Sequence, residues 1–257
     1  MPAQRSGGTS ADLRESGEPK PLEDQHVVIV GGTQGLGLEI ARAAAARGQR
    51  VTVAGRDAEK AEKAAADIGI DAVAGICDLT DWSSLERFFD GVDTIDHLIL
   101  AALDRDQNDI KDFRPDDAAK TSLMKNVGYA ASVHYALPKL DPGGSVLMFS
   151  GLSMWRPMPG STTISMANAG VVGLANSLAV QIAPVRVNVI TPGVVMGTLA
   201  VDEADPVRAE QYERLRQRTP GKRLPQTADI VSAAFALTDN PGINASNLVV
   251  DAAMHLS

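Results

Sequence analysis

The stretch His26-Val27-Val28-Ile29-Val30-Gly31-Gly32-Thr33-Gln34-Gly35-Leu36-Gly37 runs a β-branched segment straight into a glycine cluster, and residues 38–47 continue as an alanine-rich helical pattern. Five apolar or β-branched residues bounded by glycine read as a buried strand. Glycines allow positive φ and a close approach of backbone to a ligand. The start of the following helix offers unpaired N–H groups and the positive end of the helix dipole, so the turn suits a pyrophosphate. A glycine cluster alone is a weak signal, but one set between a first strand and a first helix is much stronger. The residues expected around the anion are Gly31, Thr33, Gln34, Gly35, Leu36 and Gly37.

Outward from this turn, short β-branched runs alternate with helical stretches. Strands are predicted over 26–30, 50–54, 72–77, 95–101, 145–149, 186–190 and 248–250, and helices over 58–68, 82–89, 118–140, 165–182 and 228–237. Strands separated by helices require crossover connections, hence a mostly parallel sheet covered on both faces. The expectation is one α/β domain, doubly wound, over residues 22–257. The 257 residues with 44% hydrophobic content supply a core of that size, and a net charge of −8 argues against non-specific nucleic-acid binding. The lone cysteine, Cys77, cannot form an internal disulfide and suits a reducing compartment. Residues 1–21 are polar without an apolar export segment and read as a flexible tail. No stretch is expected to span a bilayer, and the expected location is cytoplasmic.

The spacing Gly31, Gly35, Gly37 (G-x-x-x-G-x-G) resembles the short-chain dehydrogenase/reductase family, with Val30 where a Thr is usual. Asp78-Leu79 is similar to the family's adenine-side acidic pair. Arg186-Val187-Asn188-Val189-Ile190-Thr191-Pro192-Gly193 is similar to its strand and Pro–Gly turn beside the nicotinamide. Val249-Val250-Asp251-Ala252-Ala253 resembles its closing V-D-G-G, with alanines for the two glycines. The resemblance implies a Rossmann fold with a bound nicotinamide dinucleotide, Ala101 on the cofactor floor, and Pro192 and Gly193 at the nicotinamide. At the end of the second strand an acidic side chain would hold the ribose of NAD. This chain has Gly55 and then Arg56, whose guanidinium can pair with a 2′-phosphate, so NADP(H) is the expected cofactor. Asp57 is expected to cap the helix that follows.

The same resemblance exposes departures. The family transfers a proton through a Tyr with a Lys one helical turn later, assisted by a Ser and an Asn. Aligned on Ala169-Gly170-Val171-Val172-Gly173-Leu174, the Tyr position is Ile164 and the Lys position Asn168. The Ser position is Gly151, beside Ser150 and near Ser153, and the Asn position is Lys125, one residue from Asn126. Candidate catalytic residues are therefore Lys125, Ser150 and Asn168, as if Lys and Asn had exchanged helices. Lys125 reads equally as an ordinary helix-surface charge, and Asn168 as a satisfied polar residue. Tyr129, Tyr135 and His134 are expected on an outer helix face packed against another subunit. His26, His97 and His255 lack metal-ligand spacing, and no metal is expected.

Ligands bind beyond the carboxyl ends of the strands of such sheets. Residues 151–163, with Met154, Trp155, Met158 and Pro159, and a charged lid at 196–220 are expected around a small-molecule substrate. Three functions follow: an NADP(H)-dependent oxidoreductase on an apolar carbonyl or related compound; a non-redox isomerase, cyclase or dehydratase; and an inactive NADP-binding sensor or scaffold. No nucleic-acid or membrane partner is expected. A homodimer or homotetramer through the fourth and fifth predicted helices is, with Ala167, Ala169, Gly170 and Gly173 permitting close helix approach.

Overall fold

A computed structural model describes residues 20–69, 71–104, 106–198 and 206–257. Seven strands form one sheet in the order β3-β2-β1-β4-β5-β6-β7, and every neighbouring pair is parallel. They are β1 (His26–Val30), β2 (Arg50–Gly55), β3 (Val73–Ile76), β4 (Ile95–Leu100), β5 (Leu140–Phe149), β6 (Arg186–Pro192) and β7 (Asn247–Val250). The connecting helices are α1 (Gly35–Ala46), α2 (Ala58–Ile68), α3 (Trp82–Asp90), α4 (Pro115–Ser122), α5 (Gly128–Ala136), α6 (Thr162–Gln181), α7 (Pro206–Arg218) and α8 (Thr227–Asp239).

Successive strand residues point to opposite faces, which divides the core in two. Val28 and Val30 pack with Leu85, Phe89, Tyr129 and Val171 from α3, α5 and α6. Val27 and Ile29 pack with Ile40, Ala44, Ile230 and Ala234 from α1 and α8. β1 pairs with β2 on one side and β4 on the other, so the chain reverses its winding direction there. A crevice forms at the carboxyl ends of these strands.

Several expected elements differ in detail. The helix predicted over 118–140 is broken into α4, a π-helical turn at Leu123–Val127, α5 and a 3-10 turn at Leu137–Lys139. Gly128 begins α5 because a Cβ there would lie 2.5 Å from the Leu79 carbonyl oxygen. β5 starts five residues earlier than predicted, since Leu140 pairs with Ile95 before the register shifts to His97 and Ser145. The expectation that no stretch is long and apolar enough for a bilayer needs correction, because α6 has 20 residues and an 18-residue window of mean hydropathy 1.3. Its Val171, Ala175 and Ala179 are buried in the core against the sheet.

The predicted tail, as far as residue 19, lies outside the described residues. Lys20, expected within it, is instead tied down by ion pairs of 2.6 Å to both Asp96 and Asp141. Residues of the predicted lid at 199–205 also lie outside the described residues, and α7 follows them.

The amino-end edge of the sheet carries a buried polar network. His97 Nδ1 meets Ser145 Oγ at 2.9 Å and its Nε2 meets Gln25 Oε1 at 3.2 Å, while His26 Nε2 meets Thr52 Oγ1 at 2.8 Å. Burial pushes both imidazoles down, His97 to about 4. Both are neutral in the fold at neutral pH, so protons bind the unfolded chain more readily and stability declines as pH falls from 6.5 towards about 4. The urea midpoint of the protein is expected to drop across this window and to drop less in His97→Gln. An identical pH slope in the two proteins would show that His97 does not carry the effect.

Candidate active site

The turn after β1 is shaped by groups that leave no room for side chains. A Cβ on Gly31, whose φ is +87°, would lie 2.4 Å from the Ala102 nitrogen, and one on Gly37 would lie 2.2 Å from the Gly31 carbonyl oxygen. The first closure presses the turn onto the end of β4; the second presses α1 onto the turn. Gly31 N–H also donates to Ala54 at 2.8 Å, and Ala101 N–H to Val30 at 2.9 Å, so β1, β2 and β4 end together. Gly35 differs. Its φ is +58° and nothing lies within 4 Å of where its Cβ would be. Gln34, the residue before α1, makes no side-chain cap. The helix start therefore faces open space with its N–H groups uncapped, the arrangement an anion requires.

At the end of β2, Thr33 folds over Gly55, and a Cβ on Gly55 would lie 2.8 Å from the Thr33 methyl. An acidic side chain would have to displace it. Next to it the Arg56 guanidinium is exposed and paired to Asp104 at 2.9 Å. Such a solvated pair contributes at most about 1 kcal/mol, so a stronger anion can displace the carboxylate. Asp57 caps α2 through Lys60 N–H at 3.2 Å, as expected. Asp78 accepts from Thr80 N–H and Oγ at 2.8 and 2.7 Å, a closed local turn. Leu79, expected at the cofactor, has its side chain buried in the core and its carbonyl against Gly128.

Residues 30–255 match the family described as enoyl-(acyl carrier protein) reductase. The chain belongs to the short-chain dehydrogenase/reductase family. It is 26% identical over 242 residues to a 3-oxoacyl-[acyl-carrier-protein] reductase of Bos taurus, covering 91% of this chain and 99% of that protein. It is 28% identical over 265 residues to the short-chain dehydrogenase/reductase malC of Malbranchea aurantiaca, covering 91% and 96%. Among solved structures it resembles a small-chain dehydrogenase in complex with NADPH, with a TM-score of 0.78 and 24% identity over 91% of this chain and 99% of that one. It also resembles the MalC Reductase/Diels-Alderase, with a TM-score of 0.84 and 23% identity over 92% and 99%.

The positions expected to align with the family's catalytic residues are Ile164, Asn168, Gly151 and Lys125. Ile164, at the Tyr position, is buried and offers no proton. Lys125 lies in the π turn and is 2% exposed, so the reading of it as a surface charge is wrong. Asn126 beside it donates through Nδ2 to the Ala167 carbonyl at 2.8 Å, which fastens the π turn to α6. Asn168 is 3% exposed; its Nδ2 donates to Ser153 Oγ at 2.9 Å, and its Oδ1 is buried with no partner. The reading of Asn168 as fully satisfied therefore fails. An unpaired buried amide oxygen costs about 1–3 kcal/mol, which a ligand hydroxyl at this point would recover. Gly151, at the Ser position, lies against Asn168, whose Nδ2 would be 2.6 Å from a Cβ there. The small residue and the asparagine thus fit one another. Ser150 donates to the Asn168 main-chain carbonyl at 2.9 Å, so its hydroxyl braces α6. Sequence spacing favoured Ser150, yet Ser153 is the serine that meets the Asn168 side chain.

Tyr129 was expected on an outer, subunit-facing surface; it is fully buried and donates from its hydroxyl to Ala102 at 2.8 Å, beneath the glycine turn. Burial raises its pKa far above the ordinary phenol value, so it stays protonated. Ala167 is buried in the core, whereas Ala169, Gly170 and Gly173 are exposed, with the Asn126 amide beside Gly170. Pro192 and Gly193 end β6, with Gly193 N–H donating to Val250 at 3.1 Å. Among the described residues no group of three or more His, Cys, Asp or Glu side chains could hold a metal ion.

The contact at Gly37 is backbone against backbone, so Gly37→Ala must open the turn. We expect it to cost about 1–3 kcal/mol and to lower the melting temperature by several degrees. A midpoint within about one degree of the parent would mean that α1 can slide without penalty.

Proposed function

We propose that the chain is an NADP(H)-dependent reductase or dehydrogenase acting on an apolar carbonyl or related unsaturated compound, with proton handling that no longer uses the Tyr–Lys pair. The observation that carries the cofactor assignment is at the end of β2, where Thr33 fills the space an acidic residue would need and Arg56 stands free to exchange Asp104 for a phosphate. The solved relative with NADPH supports the same choice. When bound, the nicotinamide supplies or accepts hydride.

The residues of this chain then divide the remaining work. Gly31 and the start of α1 receive the pyrophosphate. Ala101 and Ala102 form an apolar floor, and Asn168 Oδ1 receives a ligand hydroxyl. Lys125 places its buried amine on the π turn, at the position where the family carries Asn, and there donates a hydrogen bond to the substrate oxygen. Trp155 and Met158 are large, exposed apolar side chains in the segment after β5 and supply an adaptable wall for the substrate.

A non-redox role for the cleft, such as cyclisation, is the second reading, supported by the relative described as a Reductase/Diels-Alderase. An inactive NADP-binding sensor is the third, consistent with the loss of the Tyr–Lys pair. Association through α5 and α6 also belongs to the proposal, since Met166, Gly173 and Val180 expose an apolar stripe along α6, with Leu123 and Val127 exposed beside it. A cytoplasmic location fits the buried free thiol of Cys77.

One panel tests the reading: NADPH and NADH binding by fluorescence, then NADPH consumption with 3-oxoacyl thioesters, ketones, imines, enones and quinones. Arg56→Ala is expected to weaken NADPH tenfold or more while leaving NADH unchanged, and Lys125→Ala to lower kcat with little change in cofactor binding. Equal losses for both nucleotides in Arg56→Ala, or unchanged turnover in Lys125→Ala, would remove those assignments. Substrate conversion without NADPH consumption would favour the second reading, and tight binding without conversion the third.

A further inference from the structure

The last turn of the chain builds a histidine–carboxylate pair at the rim of the cleft. Asp251 ends β7 and is almost wholly buried. Its Oδ1 accepts from Ala253 N–H at 2.9 Å, and its Oδ2 accepts from His255 N–H at 2.8 Å and from His255 Nδ1 at 2.7 Å. An acceptor-only carboxylate at that distance fixes the hydrogen on Nδ1 and turns Nε2 outward. No hydrogen bond to Nε2 occurs among the described residues. The turn is held at a cost: Ala252 and Ala253 both adopt left-handed backbone, with φ of +55° and +66°. Each such alanine costs on the order of 1 kcal/mol or more and persists only where its surroundings dictate it.

The pair is bracketed by two walls of the substrate side. On one flank, a Cβ on Gly193 would lie 2.8 Å from the Asp251 Cβ, so the turn that ends β6 rests directly on this carboxylate's residue. On the other, the His255 ring lies 6.0 Å from the Trp155 ring at 47°, and Arg156 donates to the Met254 carbonyl at 2.5 Å and also to Ser257 Oγ. Gly221, just beyond α7, closes the third side with a bond of 3.3 Å from its N–H to the Ala252 carbonyl. The charged groups against this turn are thus Asp251 and Arg156, with Lys222 next to Gly221.

We propose that His255, oriented by Asp251, is the proton donor that replaces the absent tyrosine, with Asp251 as its positioning residue. The role rests on the reductase reading above. In the reducing direction a bound NADPH would supply hydride to the carbonyl carbon, and the C=O π pair would move onto oxygen. That oxygen takes the proton from Nε2 of the imidazolium. The carbonyl is reduced to an alcohol, NADPH is oxidised to NADP⁺, and the neutral imidazole regains its proton from solvent. Lys125 orients the substrate oxygen in this scheme while His255 transfers the proton.

The test reads His255 directly by following the four imidazole signals in NMR against pH, with His255→Asn assigning its resonance. Saturating NADP⁺, whose nicotinamide ring is cationic, is expected to lower the His255 midpoint, whereas 2′,5′-ADP leaves it in place. Asp251→Asn is expected to release the fixed tautomer, read from the 15N shifts of the His255 ring. With acetoacetyl thioester as the kinetic probe, turnover should fall as pH rises through the His255 midpoint; His255→Asn should lose at least tenfold in kcat, keep its NADPH affinity and lose that limb. NADP⁺ binding that leaves the His255 titration unmoved overturns the role of His255 alone. Absence of nucleotide binding overturns the reductase reading and, with it, this role.

Discussion

The closure of Gly31 onto the end of β4 is the constraint on which the rest of the site depends. Its missing side chain lets Ala102 come within 2.4 Å of where a Cβ would stand, and this happens where the sheet reverses its winding direction. β1, β2 and β4 are thereby brought to a common end. Tyr129 supports the same point from below, its hydroxyl bonded to the Ala102 carbonyl. With that floor fixed, α1 points its uncapped start at the open space beside Gly35, and Arg56 is carried to the neighbouring rim. The cradle is a consequence of backbone packing and does not depend on the side chains of Lys125, Ser150 or Asn168.

The changed residues fit one another as a set. Gly151 leaves room for Asn168, which is held by Ser153 through its side chain and by Ser150 through its main chain. The π turn carries Lys125 inward, and Asn126 fastens that turn to α6 through the Ala167 carbonyl beside Asn168. Two helices that in the family present Asn and Tyr–Lys are here joined by amides and small residues.

Sequence reading reached the fold because the fold is written in local patterns. The alternation of β-branched runs with helices, the glycine spacing at 31, 35 and 37, and Gly55-Arg56 each act over a few residues. It failed where the outcome depends on distant partners. Tyr129 was expected on an outer face from the family resemblance, yet it is buried with its hydroxyl on Ala102, a residue distant in sequence. Lys125, one turn earlier, is buried within the π turn. His255 is weighed from sequence only for metal-ligand spacing, because nothing in its neighbourhood announces that Asp251 is buried against Gly193 or that Trp155 stands opposite. An Asp four residues before a His in a turn is a faint signal that only the three-dimensional setting makes legible.

The central claim is that an intact cradle delivers a reacting nicotinamide to a cleft with substituted proton chemistry. Isotope transfer tests this most directly, because it also detects hydride that is recycled within one turnover. Incubation of the protein with NADPH deuterated at C4 on each face in turn, and with a 3-oxoacyl thioester or apolar ketone, should place one deuterium on the former carbonyl carbon for one of the two labelled cofactors, as read by mass spectrometry. Product formed without deuterium from either cofactor would contradict the account and leave the chain as a binder of nucleotide that does its chemistry without hydride.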